Sequence, residues 1–170
     1  MDFKKYIRDI NDFPKQGIVF KDITPLLKDA EILNLASNAL YNFVKEKKID
    51  KVVGLESRGF FFASLLASKL KAGFVPIRKS GKLPHDVLKK SFYLEYGTDI
   101  LEIHKDGILP GEKVLIHDDV LATGGTARAA CDLIIELGGE IVQCNFLIEL
   151  DFLNGRDQLK DFDVKSLLHY

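Results

Sequence analysis

Two adjacent acids, Asp118 and Asp119, are followed after two residues by Ala122, Thr123, Gly124, Gly125 and Thr126. Carboxylates accept hydrogen bonds from sugar hydroxyls or reach a hard cation carried by a substrate. Glycines let the backbone approach an oxyanion without a Cβ in the way, and the two threonine hydroxyls add donors. Together these types suit a phosphorylated sugar, with the phosphate in the Gly/Thr cradle and the acids on the hydroxyls, because carboxylates aimed at the phosphate would repel it. The apolar residues 114–116 predict a buried strand and residues 127–137 a helix. The cradle then lies at the carboxyl end of a strand and the amino end of a helix, where free N–H groups and the helix dipole attract phosphate. Neither the lysine-bearing P-loop spacing nor a G-x-G-x-x-G fingerprint is present in this run.

A second turn of similar character is Glu56, Ser57, Arg58 and Gly59, which ends one apolar run and opens another, with Arg58 as a forked anion donor. Five Lys/Arg fall between Arg78 and Lys90, in a stretch that also holds Gly81 and Pro84. Taken alone, the charges of this run read first as a solvated loop, while a loop of this length inside a compact domain is usually functional or disordered. Glu95 taken alone reads as an exposed glutamate of a hairpin.

The remaining sequence supplies elements to hold these groups. Asp29 can cap a helix whose apolar positions run from Ile32 to Val44 at helical spacing. Strands are predicted at 51–55, 74–77, 114–117 and 140–149, with helices at 59–71 and after the cradle. Strands apolar on both faces in alternation with helices predict an α/β fold, a parallel-sheet core covered by helices on both faces. Residues 92–95 and 100–103, joined through 96–99, predict an antiparallel hairpin inserted beside the sheet, so that 78–106 form a lid.

At 170 residues the chain accommodates one sizeable core, and we expect a single domain. With 29% charged residues and a net charge of −1, nothing in the charge balance calls for nucleic acid or an anionic membrane. No signal-peptide or membrane-length apolar run is present, so a cytoplasmic protein is expected. Cys131 and Cys144 have neither metal nor redox spacing and read as reduced, buried thiols. His85, His104 and His169 read as surface residues, and His117 as a hydrogen-bonded strand histidine.

The run from Asp118 to Thr126 resembles the phosphoribosyl-diphosphate (PRPP) motif of the type I phosphoribosyltransferases. Residues 12–25 (DFPKQGIVFKDITP), 54–60 (GLESRGF), 77–84 (IRKSGKLP) and 94–99 (LEYGTD) resemble, in order, segments of the adenine-specific members of that family. The resemblance spans residues 12–149 and implies the type I phosphoribosyltransferase fold, with residues 1–28 as a base-binding hood. It implies transfer of the phosphoribosyl group of PRPP to adenine, giving AMP and diphosphate. Phosphoribosyltransferases for xanthine, hypoxanthine or orotate, and a PRPP-sensing regulator, are the alternative readings.

The resemblance gives Asp118, Asp119 and residues 122–126 to ribose and its 5-phosphate. Ser57, Arg58, Arg78, Lys79 and Lys82 go to pyrophosphate, with a non-proline cis peptide in the 56–59 turn and Arg78 and its neighbours reaching across a homodimer interface. The backbone of Val19, Phe20 and Lys21, and the side chain of Val120, go to adenine. Glu95 is implied as the acid/base beside the purine imidazole, travelling on the lid with Tyr96. Mg2+ is expected to be bound mainly through PRPP or diphosphate oxygens, with no firm protein ligand. Gln16 and Ser80 depart from the family's commoner residues and leave the nearby charge pattern in place, and His117 stands where an apolar residue is usual.

Overall fold

The computed structural model describes residues 1–94 and 97–170, and of residues 93, 94 and 97 the backbone alone. The chain divides into two compact units, Met1–Ala39 and Leu40–Tyr170. In the first, β1 (Arg8–Asn11) pairs antiparallel with β2 (Val19–Asp22), with Ile10 opposite Phe20. The turn between them is built by Asp12 at φ 58°, a cis Phe13–Pro14 bond and Gly17 at φ 86°, whose amide donates to Asp12 Oδ1 over 2.7 Å. Phe13 meets Phe20 edge to face at 5.1 Å between centroids. Asp22 Oδ1 accepts from the Thr24 amide over 2.9 Å and opens α1 (Thr24–Leu27), and hydrogen bonds from Thr24 and Arg8 hold the Asp22 carboxyl down at about 2. Asp29 caps α2 (Ala30–Asn42) as expected, accepting from the amides of Glu31 and Ile32.

The second unit is organised by a seven-stranded sheet. It contains β3 (Lys51–Leu55), β4 (Gly73–Lys79), β5 (Val87–Leu94), β6 (Gly97–His104), β7 (Lys113–Leu121), β8 (Glu140–Glu149) and β9 (Val164–His169), in the order β5-β6-β4-β3-β7-β8-β9. The ladders from β4 through β9 are parallel, and β6 runs antiparallel to both β4 and β5. The right-handed crossovers β3–α3–β4 and β7–α4–β8 leave in opposite directions along the sheet, so α3 (Gly59–Leu70) and α4 (Gly125–Glu136) cover opposite faces.

Side-chain alternation agrees with this. Val53, Leu55, Ile77, Val114 and Ile116 join Ala130, Leu133 and Ile134 of α4 in one cluster. Gly54 on the other face lies so close to α3 that a Cβ would stand 2.8 Å from that of Ala63, and His117 packs edge to face with Phe62. Cys131 and Cys144 are fully buried with their sulfurs 3.7 Å apart, as expected of structural thiols. No helix among the described residues is long and apolar enough to cross a membrane.

Three boundaries differ from expectation. β7 continues through Asp118, Asp119 and Val120, with Asp118 opposite Phe146, Val120 opposite Ile148 and Leu121 opposite Glu149 of β8, so the acid pair sits on a strand and not in a loop. The antiparallel hairpin is longer than expected, with Val87 opposite His104, and extends the sheet edge through β6 instead of standing beside it. Lysines on this edge strand hide its length from a hydropathy reading, because Lys89 pairs with Glu102 and Lys90 with Asp132. The parallel edge strand β9 has no counterpart in the sequence reading.

Candidate active site

β3 and β7 are neighbours from which the two crossovers diverge, and the carboxyl ends of such strands bracket the crevice where open α/β sheets bind ligands. Both predicted anion turns open there. After Leu55 the chain passes through a cis Glu56–Ser57 bond and enters α3 at Gly59. Gly59 is required by proximity, since a Cβ on it would stand 2.8 Å from Asp118 Oδ1 and 3.0 Å from the His117 carbonyl. The amino end of α3 is thereby pressed against the acid pair of β7.

Asp119 is buried, and its Oδ2 lies 2.8 Å from Arg58 Nε, while its amide donates to Asp118 Oδ1 over 2.9 Å. Burial pushes the Asp118 carboxyl well above the ordinary carboxylate range, and the neighbouring charge of Asp119 adds to it. Asp119 is also raised by burial, against the pull of Arg58. The pair is thus a concentrated site of oxygen acceptors that gains from hydroxyl donors or a cation.

Beyond Leu121 the chain turns through Ala122, Thr123 and Gly124 into α4. Gly124 adopts φ 84°, in the left-handed region, and its carbonyl accepts the Arg128 amide over 2.9 Å in the first turn of the helix. A small cavity of about 60 Å³ lies here, lined by Asp118, Val120, Ala122, Thr123, Gly124 and Thr126 among others. That exceeds the roughly 10–15 Å³ that one water molecule needs. Asp118, Val120 and four of the five cradle residues therefore line one cavity, while Gly125 opens α4 beside it and Asp119 turns to Arg58. Thr123 is exposed, Gly124 is buried, and Thr126 lies in the first turn of α4.

The basic residues gather on Glu56. Its carboxylate accepts the Lys79 amide over 2.9 Å, lies 3.4 Å from Arg78 Nε and pairs with Lys82 Nζ. Burial opposes ionisation of Glu56, but Lys82, the Lys79 amide and Arg78 outweigh it and bring its carboxyl down to about 2. The Lys79 side chain turns instead to Asp99, 3.1 Å away. Ser57 is exposed at the tip of the same turn. Sequence reasoning placed Glu56 within a motif without a partner, since Arg78, Lys79 and Lys82 belong to a strand and loop more than 20 residues away.

His117 is fully buried behind the acid pair, with Nδ1 2.5 Å from Asn145 Oδ1, and Asn145 Nδ2 donates to the Leu40 carbonyl over 3.3 Å. Burial lowers its pKa to about 4 against the support of Asn145, so it is a neutral, hydrogen-bonded strand histidine, as expected. Val19, Phe20 and Lys21 lie in β2 of the first unit, where Val19 is exposed and Lys21 Nζ pairs with Asp9 over 2.7 Å. Glu95 and Tyr96 lie outside the described residues.

A mostly parallel sheet that brings two glycine-bearing strand-to-helix turns and an acid pair to its switch point has the form of an α/β protein that takes a phosphorylated ligand there. Comparison with known proteins narrows that class. Residues 24–168 match the phosphoribosyl transferase domain. The adenine phosphoribosyltransferase of Christiangramia forsetii is 62% identical over 170 residues, covering 100% of this chain and 99% of that protein. The crystal structure of adenine phosphoribosyltransferase from Rhodothermus marinus matches with a TM-score of 0.95 at 54% identity, covering 99% of this chain and 96% of that one. The Saccharomyces cerevisiae enzyme, complexed with an imino-altritol bisphosphate and adenine, matches with a TM-score of 0.92 at 42% identity, covering 97% of this chain and 96% of that one. The chain belongs to the phosphoribosyl transferase family, and its full-length relatives put it among the adenine phosphoribosyltransferases.

Proposed function

We infer that this protein transfers the phosphoribosyl group of PRPP to adenine, a ring nitrogen of the base displacing pyrophosphate from carbon 1 of the ribose to give AMP. The observation that carries this reading is the Gly/Thr cradle at the amino end of α4, set beside the acid pair and Arg58 at the sheet's switch point. In this reading the 5-phosphate accepts from the cradle amides and from Thr123 and Thr126, and Asp118 and Asp119 accept from the ribose hydroxyls. Anchoring phosphate and ribose holds carbon 1 in line for attack.

Pyrophosphate leaves with concentrated negative charge, for which Ser57, Arg58, Arg78, Lys79 and Lys82 supply donors. Glu56, on which Arg78, Lys82 and the Lys79 amide now converge, keeps those groups oriented before the anion arrives. Mg2+ enters this reading on the oxygens of PRPP. The acid pair fits a cation in that neighbourhood, because both carboxyls are raised by burial and a positive charge relieves their crowding. When bound, the ion supplies charge neutralisation to the leaving group.

Base recognition is assigned, on the resemblance, to the backbone of Val19, Phe20 and Lys21 with Val120 as an apolar wall. A carbonyl there accepts from the amine of adenine and leaves a keto purine unpaired. Glu95, carried with Tyr96 on the lid, is assigned the imidazole proton. A homodimer, in which Arg78 and its neighbours serve across the interface, and a cytoplasmic location complete the proposal. Formation of AMP, GMP, IMP and OMP from PRPP and each base tests the reading. AMP is the expected product, and dominant GMP overturns it.

A further inference from the structure

The cradle has a back wall that belongs to none of the motifs. After β8 the chain forms two 3₁₀ turns, Asp151–Leu153 and Gly155–Leu159, separated by Asn154 in the left-handed region at φ 51°. Gly155, the first residue of the second turn, is buried and abuts the cradle backbone directly. A Cβ on Gly155 would stand 2.1 Å from the Ala122 carbonyl oxygen and 3.0 Å from the Gly124 nitrogen. Reciprocally, a Cβ on Gly124 would stand 2.3 Å from the Gly155 carbonyl oxygen. Gly155 itself has no positive φ, so the close approach of two backbones, and not conformational freedom, demands glycine there.

The wall is fastened on its far side. The Leu150 amide donates to the Leu121 carbonyl over 2.9 Å, and the Asp151 amide to the Tyr170 carbonyl over 2.9 Å. Arg156, next to Gly155, donates from Nε to Glu149 Oε1 over 3.0 Å, from its second terminal nitrogen to Oε2 over 2.5 Å, and from its first to the Val164 carbonyl over 2.9 Å. Ser166 Oγ donates to the same Glu149 Oε2 over 2.6 Å. Glu149 is only 4% exposed, while the Arg156 side chain is 47% exposed, so the pair is held by its forked geometry and by the buried carboxylate at its base. Leu159, fully buried in the cluster beneath α4, pins the other end of the wall.

We propose that Gly155, clamped by the Arg156–Glu149 pair, is a positioning residue that sets the backbone of residues 122–124 for the phosphate of the substrate. The proposal rests on the reading of residues 122–126 as the 5-phosphate site. An oxyanion hole made of amides works only if those amides are held in place before the anion arrives, and here the holding surface is a second backbone.

The test compares AMP affinity by titration calorimetry, and KM for PRPP against kcat, in the full-length protein. Gly155→Ala is expected to weaken AMP and raise the KM for PRPP by about tenfold or more, with a smaller change in kcat at saturating PRPP. Arg156→Gln is expected to move both in the same direction, and Arg156→Lys to recover part of the loss. Gly139→Ala, whose Cβ would stand 2.8 Å from both Ile108 and Ile134 at the other end of α4, serves as a control that strains the fold without touching the cradle.

AMP affinities of Gly155→Ala and Arg156→Gln within about twofold of wild type overturn the proposal, as does an equal loss in Gly139→Ala. If Gly155→Ala does not fold, the Arg156 variants decide. Thr123→Val separates the two levels: wild-type AMP affinity in that variant refutes the cradle itself, whereas a weakened Thr123→Val beside normal Gly155 and Arg156 variants refutes only the wall.

Discussion

His117 makes stability depend on pH in a way that can be calculated. Its ring is fully buried and its pKa falls from the ordinary 6.5 to about 4, because the imidazolium would lose its hydration between β7 and α3. The folded protein therefore keeps His117 neutral down to about pH 4, while the unfolded chain takes up a proton below about 6.5. In that window the unfolded state binds more protons, so stability falls as pH falls. The contribution is complete above pH 6.5 and gone by about pH 4. Integrating from about pH 7 to about pH 5 gives a loss of about 2 kcal/mol from this residue alone.

The perturbation is His117→Gln, which keeps a donor for Asn145 and cannot titrate. Urea denaturation at the two pH values gives the unfolding free energy of each protein. Asp118 and Asp119, both raised by burial, act in the opposite sense, and Asp22 and Glu56, each held at about 2, lose their contributions at lower pH. All four are present in both proteins, so the difference isolates His117. The variant is expected to start less stable at pH 7, because the ring's packing on Phe62 is lost, and to lose about 2 kcal/mol less than wild type on acidification. Parallel profiles, within about 0.5 kcal/mol, would refute a buried neutral imidazole.

Three further outcomes are expected. Thr123→Val weakens PRPP and AMP by about tenfold, the worth of one hydrogen bond to a charged group, and equal affinities by calorimetry remove Thr123 from the phosphate site. Glu56→Gln lowers stability at neutral pH by roughly 1–2 kcal/mol, since Arg78, Lys82 and the Lys79 amide lose a charged acceptor. That deficit shrinks as pH falls from the ordinary 4.5 toward about 2, and a deficit unchanged in acid refutes the role of the charge. Glu95→Gln reduces turnover by about a hundredfold with little change in the KM for PRPP, and unchanged turnover takes Glu95 out of the proton transfer.

The central α/β pattern was legible because burial on both faces writes itself as continuous apolar runs. Residues 51–55 and 140–149 read as strands at the boundaries the structure has, and Asp29 announced α2 by the chemistry of its cap. Asp118 and Asp119 looked like the start of a loop, since carboxylates rarely lie in a buried strand. They remain in β7 because Arg58 balances one of them and the parallel ladder to β8 carries their backbone. The hairpin's length was obscured by lysines whose counterions, Glu102 and Asp132, lie on other elements.

The sequence by itself determined the chemistry of the cradle, because Gly124, Gly125 and two threonines in unbroken order describe an amide-rich turn wherever it is placed. It also determined that a strand precedes this turn and a helix follows. Only the tertiary structure decided that Gly59 brings the amino end of α3 against Asp118, that Glu56 gathers Arg78, Lys82 and the Lys79 amide, and that Gly155 meets Ala122 and Gly124 backbone to backbone. The physical reason is range. Hydropathy period, caps and glycine turns act over a few residues and leave a local trace, whereas ion pairs and steric contacts between distant segments exist only once the sheet has set their register.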